Sequence, residues 1–145
     1  MSGIVCAVRG GPNSQPTIER AIGLAKETGL PLYFLYVINL DFLDATASSR
    51  TQTISKEMAQ MGEFILLLAQ TKAEAQGVTA QGAIRHGQVT EEIAAQCHVI
   101  SADYLVIGQP RFEQEDNVFT AARHAAFIEH IEAQTGATVV LPQES

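Results

Sequence analysis

Short, almost continuous apolar runs alternate along this chain with longer stretches whose apolar positions recur every three or four residues. Ile4–Val8 is the first such run and reads as a strand buried on both faces. Turn residues break it at Gly10-Gly11-Pro12-Asn13-Ser14, where Asn13 or Ser14 is placed to cap a helix. Ile18, Ala21, Ile22 and Ala25 then form one helical stripe that Gly29 ends, and Leu32–Val37 is the second strand. Residues 39–50 are polar and read as a loop. A long helix follows over about 51–76, with Ile54, Met58, Met61, Ile65 and Leu68 as its expected inner face and Gly77 as its stop. Val78–Arg85 is a weaker strand interrupted by Gly82, and His86-Gly87 is a turn. Val89, Ile93, Ala94, Cys97 and Ile100 mark a third helix, and Tyr104–Ile107 a fourth strand. A polar loop runs from Gly108 through Asn117. Phe119, Ala126, Phe127 and Ile131 mark the fourth helix, and Thr138–Leu141 is the last strand before Pro142.

The order is β-α-β-α-β-α-β-α-β. Buried strands joined by helices require a parallel sheet with right-handed crossovers, so the expected fold is one doubly wound α/β domain spanning residues 1–145. In such sheets ligands bind beyond the carboxyl ends of the strands, near the switch in strand order. That rule selects the loops Arg9–Ser14, Ile38 onward, His86-Gly87 and Gly108–Asn117. Glycines at two of these strand ends let backbone N–H groups approach a phosphate, but they serve equally well as plain tight turns.

Composition narrows the function classes. Nine Lys and Arg against sixteen Asp and Glu give a net charge of −7, which disfavours generic binding to nucleic acid backbones. No apolar run approaches the roughly 18 residues of a membrane helix, and no basic segment precedes the first strand, so a cytoplasmic chain without a signal peptide is expected. Cys6 and Cys97 form no CxxC pair and read as buried thiols. His124 and His130 are six apart, off the spacing that sets two ligands on one helical face, so no metal site is expected. Asp41 and Asp44 read as part of a solvated acidic loop. Neither Ser14 nor Ser101 lies in a GxSxG elbow, and no catalytic residue is expected.

At this point the residues resemble the universal stress protein family over nearly the full length. The run Ile4-Val5-Cys6-Ala7-Val8-Arg9-Gly10-Gly11-Pro12-Asn13-Ser14 is similar to its first strand and following turn. Ala21-Ile22-Gly23-Leu24-Ala25 with Leu32–Val37 is similar to the next helix and strand. His86-Gly87-Gln88-Val89-Thr90-Glu91-Glu92-Ile93 and Ala102–Gly108 resemble the region before the nucleotide motif, and Thr138–Pro142 the last strand. The resemblance implies a five-stranded sheet of order 3-2-1-4-5 and a homodimer paired through the last strands. It also implies an ATP site built on a Gly-x2-Gly-x9-Gly-Ser/Thr motif and an acidic residue after the first strand.

Laid on this chain, the motif keeps Gly108 but has Arg111, Ala121 and Ala122 at its other positions, and Arg9 stands where the acid is expected. Ala122 lacks the hydroxyl that would bond phosphate, Arg111 replaces bare backbone with a long side chain, and Arg9 reverses a charge. Several lost contacts at roughly 1–3 kcal/mol each would weaken binding by orders of magnitude. Canonical ATP binding is therefore expected to be weak or absent, with no cofactor held. The alternative is a sensor whose Arg9, Arg111 and Arg123, with His86, bind a nucleotide or another anion. Against it, the same arginines have Glu113, Glu115 and Asp116 as available partners. The candidate pocket residues are Val8, Arg9, Gly10, Val37, Ile107, Gly108, Arg111, Ala121, Ala122 and Arg123.

Two neighbouring classes fit less well. Arg9–Ser14 partly resembles the Ser-Gly-Gly-x-Asp-Ser loop of ATP pyrophosphatases, but Arg and Asn replace its Ser and Asp. The acidic cluster of a response-regulator receiver is missing after the first strand. The expectation is a non-catalytic regulatory or stress-response protein. It is expected to pair with itself through Thr138–Leu141, an apolar edge that invites pairing unless the acidic 113–116 loop covers it, and to engage a regulatory protein partner. No nucleic acid and no membrane is expected among its partners.

Overall fold

The computed structural model describes residues 3–8, 15–38, 48–108 and 118–141, the side chains of 48–52 and 118–124 excepted. Nine elements follow in strict alternation: β1 (Ile4–Ala7), α1 (Gln15–Thr28), β2 (Leu32–Ile38), α2 (Ser48–Ala75), β3 (Ala80–His86), α3 (Val89–Ile100), β4 (Tyr104–Val106), α4 (Val118–Thr135) and β5 (Thr138–Val140). All four strand pairings are parallel, in the order β3-β2-β1-β4-β5. This is the five-stranded α/β fold expected from the sequence. The long helix begins at Ser48, inside the segment read as a loop, because its first turns are polar and carry no apolar stripe.

β1 is central, with β2 and β4 on its two sides, and each of its residues from Ile4 to Cys6 is fully buried. That is why the strand reads as unbroken apolar sequence. Alternation along the strands divides the core. Ile4, Cys6, Phe34 and Val106 face α1 and α2 with Ile18, Ile22, Leu66 and Ala69. Val5, Leu35 and Leu105 face α3 and α4 with Ile93, Cys97 and Ile131.

α2 departs from its expected orientation. Met58 and Ile65 do pack against the core, but Met61 and Leu68 are 56% and 55% exposed. The line that meets the sheet is instead Gly62, Leu66, Ala69 and Ala73, all buried. Small residues win because they let the helix approach closely. A Cβ at Gly62 would lie 2.5 Å from the Tyr36 ring, and one at Gly82 of β3 would lie 3.2 Å from Leu66 Cβ. In α4, Ala126 is likewise exposed rather than inward.

β5 ends the sheet. Its Thr138 N–H donates to Asp103 O at 2.9 Å, inward toward β4, while the Val139 N–H donates to a Glu132 carboxylate oxygen of α4, also at 2.9 Å. A charged side chain thus occupies a donor on this edge.

Candidate functional site

After β3 the chain returns across the sheet to β4, so the carboxyl ends of β1 and β4 diverge and leave a crevice. A cavity of about 340 Å³ lies there, on the α3 and α4 side. Its floor comes from the strand ends: Ala7 of β1 and Val8 just after it, Leu35 and Val37 of β2, and Ile107 and Gly108 just after β4. Its walls are Val89, Thr90 and Ile93 from the first turns of α3, and Phe127 of α4. The volume falls within the few hundred Å³ typical of small-molecule pockets.

The register explains the convergence. Ala7 pairs with Leu35, and Val37 and Ile107 belong to the same face of the sheet, so side chains from three neighbouring strand ends converge on one side. α3 contributes because Ile93 is anchored in the core while Val89, one turn earlier, overhangs the strand ends and is 44% exposed. Thr90 is the single hydroxyl, and no charged side chain is among the described lining. Glu91 and Glu92 occupy the first turn of α3, and Gln88 caps it without a side-chain hydrogen bond. Those acids offset the helix dipole where it would otherwise attract an anion.

Gly108 has a packing reason to be glycine. A Cβ there would lie 3.2 Å from Oγ1 of Thr17, which is itself only 2% exposed.

Of the residues selected from the sequence, the structure brings Val8, Val37, Ile107 and Gly108 together around this cavity. Arg9, Gly10 and Arg111 lie outside the described residues, so their convergence at one sheet edge is neither placed nor refuted. Ala121, Ala122 and Arg123 stand in α4, with their side chains outside the described set. Sequence reasoning missed Ala7, Leu35, Val89, Thr90, Ile93 and Phe127 as lining residues. Val89, Ile93 and Phe127 carried a signal, the apolar stripes of their helices, but it read simply as core.

Around the cavity the polar architecture is structural. Arg85 of β3 holds Glu92 through Nε at 2.8 Å and Gln96 through Nη1 at 3.1 Å, tying β3 to α3. Burial pushes the Cys97 thiol up to about 11 and the Cys6 thiol further still, so both stay protonated and unreactive at neutral pH. Among the described residues no cluster of His, Cys, Asp or Glu is arranged to hold a metal ion. No described helix is long and apolar enough to cross a membrane.

Comparison with known proteins agrees with this architecture. Solved structures of similar fold include universal stress protein UspA from Lactobacillus plantarum, with a TM-score of 0.80 at 13% identity over 98% of this chain and 97% of that one. A universal stress protein in complex with cAMP gives 0.71 at 16% identity over 99% and 98%. The universal stress protein from Archaeoglobus fulgidus in complex with dAMP gives 0.63 at 14% identity over 99% and 98%. A search of curated proteins found no match. At these identities the structures establish the fold alone, but the sequence profile of the universal stress protein family matches residues 1–116. The chain therefore belongs to the universal stress protein family.

Proposed function

We propose that this chain is a non-catalytic, cytoplasmic regulatory protein of the stress response, in which the carboxyl-edge cavity holds the uncharged part of a small ligand and canonical ATP binding is weak or absent. The observation that carries this is the cavity itself: nine apolar lining residues and one threonine. Such a lining accepts a nucleobase or a similar flat, largely apolar group. Its described lining supplies no charged side chain for a triphosphate. The motif substitutions Arg111, Ala121 and Ala122 point the same way. Two fold relatives were solved with cAMP and dAMP, nucleotides with a single phosphate, which favours a sensor of small nucleotides as the second reading.

Homodimer formation through Thr138–Leu141 belongs to the same proposal. There Glu132 must release the Val139 N–H before a second strand can add to that edge.

The test is calorimetric titration with ATP, with and without magnesium, beside AMP, adenosine and free phosphate. The expected result is that ATP binds no more tightly than AMP, because the triphosphate adds no contact. Thr90→Trp, at an exposed position on the cavity wall, should abolish whatever nucleotide binding occurs. Micromolar ATP binding, well above AMP, would overturn the reading.

A further inference from the structure

We propose that the outer face of α2 is a homotypic interface, on which a second copy of this chain lays its own α2 antiparallel. This surface is separate from both the cavity and the last strand. Met61, Phe64, Leu67 and Leu68 are 56%, 60%, 59% and 55% exposed and follow one another at helical spacing along a single stripe. They leave on the order of 400 Å² of apolar surface open to water, the size of patch that on a soluble protein marks an interaction site. They form one stripe because the opposite line of small residues is spent on the sheet, so the large side chains have no covering partner among the described residues.

Charge placement selects the occupant. Lys56 and Glu74 are both exposed, and neither has an ion-pair partner among the described residues. They stand 18 positions apart, about five full turns, so they lie on one line of the helix beside the stripe. Their midpoint, Ile65, nearly coincides with the midpoint of Met61 and Leu68. A two-fold axis through that point sets Met61 against Leu68 and brings Lys56 of each copy to Glu74 of the other. In a parallel two-fold pair the counterparts would lie on opposite flanks of the seam with Lys56 and Glu74 at different ends, so neither charge would meet its complement. A single helix that is apolar in the middle and oppositely charged at equidistant ends is complementary to itself in the antiparallel sense alone.

The same charges argue against a lipid surface. Glu57, Glu63 and Glu74 border the stripe against Lys56 and a Lys72 already engaged by Glu19 at 3.0 Å, and the chain as a whole carries −7. Four side chains a side fall short of the roughly 800 Å² per partner of a standard interface, so the association is of the weak, concentration-dependent kind.

Sedimentation velocity on the full chain from about 1 to 200 μM, a range suited to weak association, tests this. The wild type should show a concentration-dependent association step, and Phe64→Glu should remove it. Lys56→Glu and Glu74→Lys should each weaken the step about five- to tenfold, since each turns two attractions into repulsions. Combining them should restore it to within about twofold of wild type, a rescue that neither misfolding nor last-strand pairing produces. The proposal is overturned if no association step occurs, if Phe64→Glu leaves the step unchanged, or if the charge-swapped pair is no better than the single variants. It is equally overturned if the stripe proves to bind phosphatidylserine vesicles in a Phe64-dependent way with no self-association.

Discussion

The same substitution, glycine to alanine, should have opposite signs in two helices of this protein. Gly23 lies in α1 with nothing within 4 Å of where a Cβ would stand. Gly23→Ala therefore gains only the backbone and propensity benefit, about 0.5–1 kcal/mol. Gly62 lies in α2, and a Cβ there would sit 2.5 Å from Tyr36 Cδ2 and 2.9 Å from Cε2, where ordinary carbon contacts are about 3.5 Å. Tyr36 is only 9% exposed and held in the sheet, so the ring has no room to retreat and the helix must lift. Overpacking of this kind costs roughly 1–3 kcal/mol, and the rigid surroundings place it in the upper half of that range. After the same propensity gain, Gly62→Ala should be destabilised by about 2 kcal/mol, some 2–3 kcal/mol below Gly23→Ala. For a chain of this size each kcal/mol moves the melting temperature by about 3–4 °C, so the variants should melt roughly 8–10 °C apart. Urea unfolding followed by circular dichroism reads the difference as a shift in midpoint at constant m. Equal stabilisation by both alanines would refute the claim that Gly62 exists to seat α2 on β2.

Two further predictions concern buried groups. Burial raises the Cys97 thiol from 9.0 to about 11 and the Cys6 thiol beyond that, so the native state keeps protons that the unfolded chain loses. Their stabilisation is complete below about pH 9 and is lost as pH rises from there, at about 1.4 kcal/mol per pH unit and thiol. Urea unfolding from pH 8 to 10 should show that slope, reduced in the variant carrying Cys6→Ala and Cys97→Ala, and an identical slope in the two proteins would contradict it. Arg85→Met should cost about 1–2 kcal/mol, because it strands the Gln96 side-chain oxygen on a residue only 8% exposed and leaves Glu92 unpaired. Thermal melts of Arg85→Met beside Glu92→Gln check this, since Glu92→Gln retains a hydrogen-bonding side chain and should cost less.

α2 shows why a strong pattern can mislead. Ile54, Met58, Met61, Ile65 and Leu68 repeat at intervals of four and three, which read alone is a single buried seam. The sheet takes part of that seam, Met58 and Ile65, and leaves Met61 and Leu68 in water. Periodicity measures where large apolar side chains lie, whereas the contact with β2 and β3 selects for closeness. Closeness belongs to Gly62, Ala69 and Ala73, residues that carry little weight in a hydrophobic pattern.

Much of the architecture was nevertheless written locally. The apolar runs Ile4–Val8, Leu32–Val37 and Tyr104–Ile107 lie where β1, β2 and β4 are found, because a strand covered on both faces must be apolar at every position. Their alternation with helices dictates parallel pairing, and the carboxyl-edge rule pointed to the end of the sheet at which Val8, Val37, Ile107 and Gly108 line a cavity. The tertiary structure decided what depends on residues distant in sequence: that Val89, Thr90 and Ile93 of α3 wall that cavity, that Glu132 reaches the edge of β5, and that the large side chains of α2 face outward. Which stripe of a helix meets the sheet is settled by the shape of the surface it lands on, here a tyrosine ring that only a glycine can accommodate, and that surface exists only once the strands have assembled.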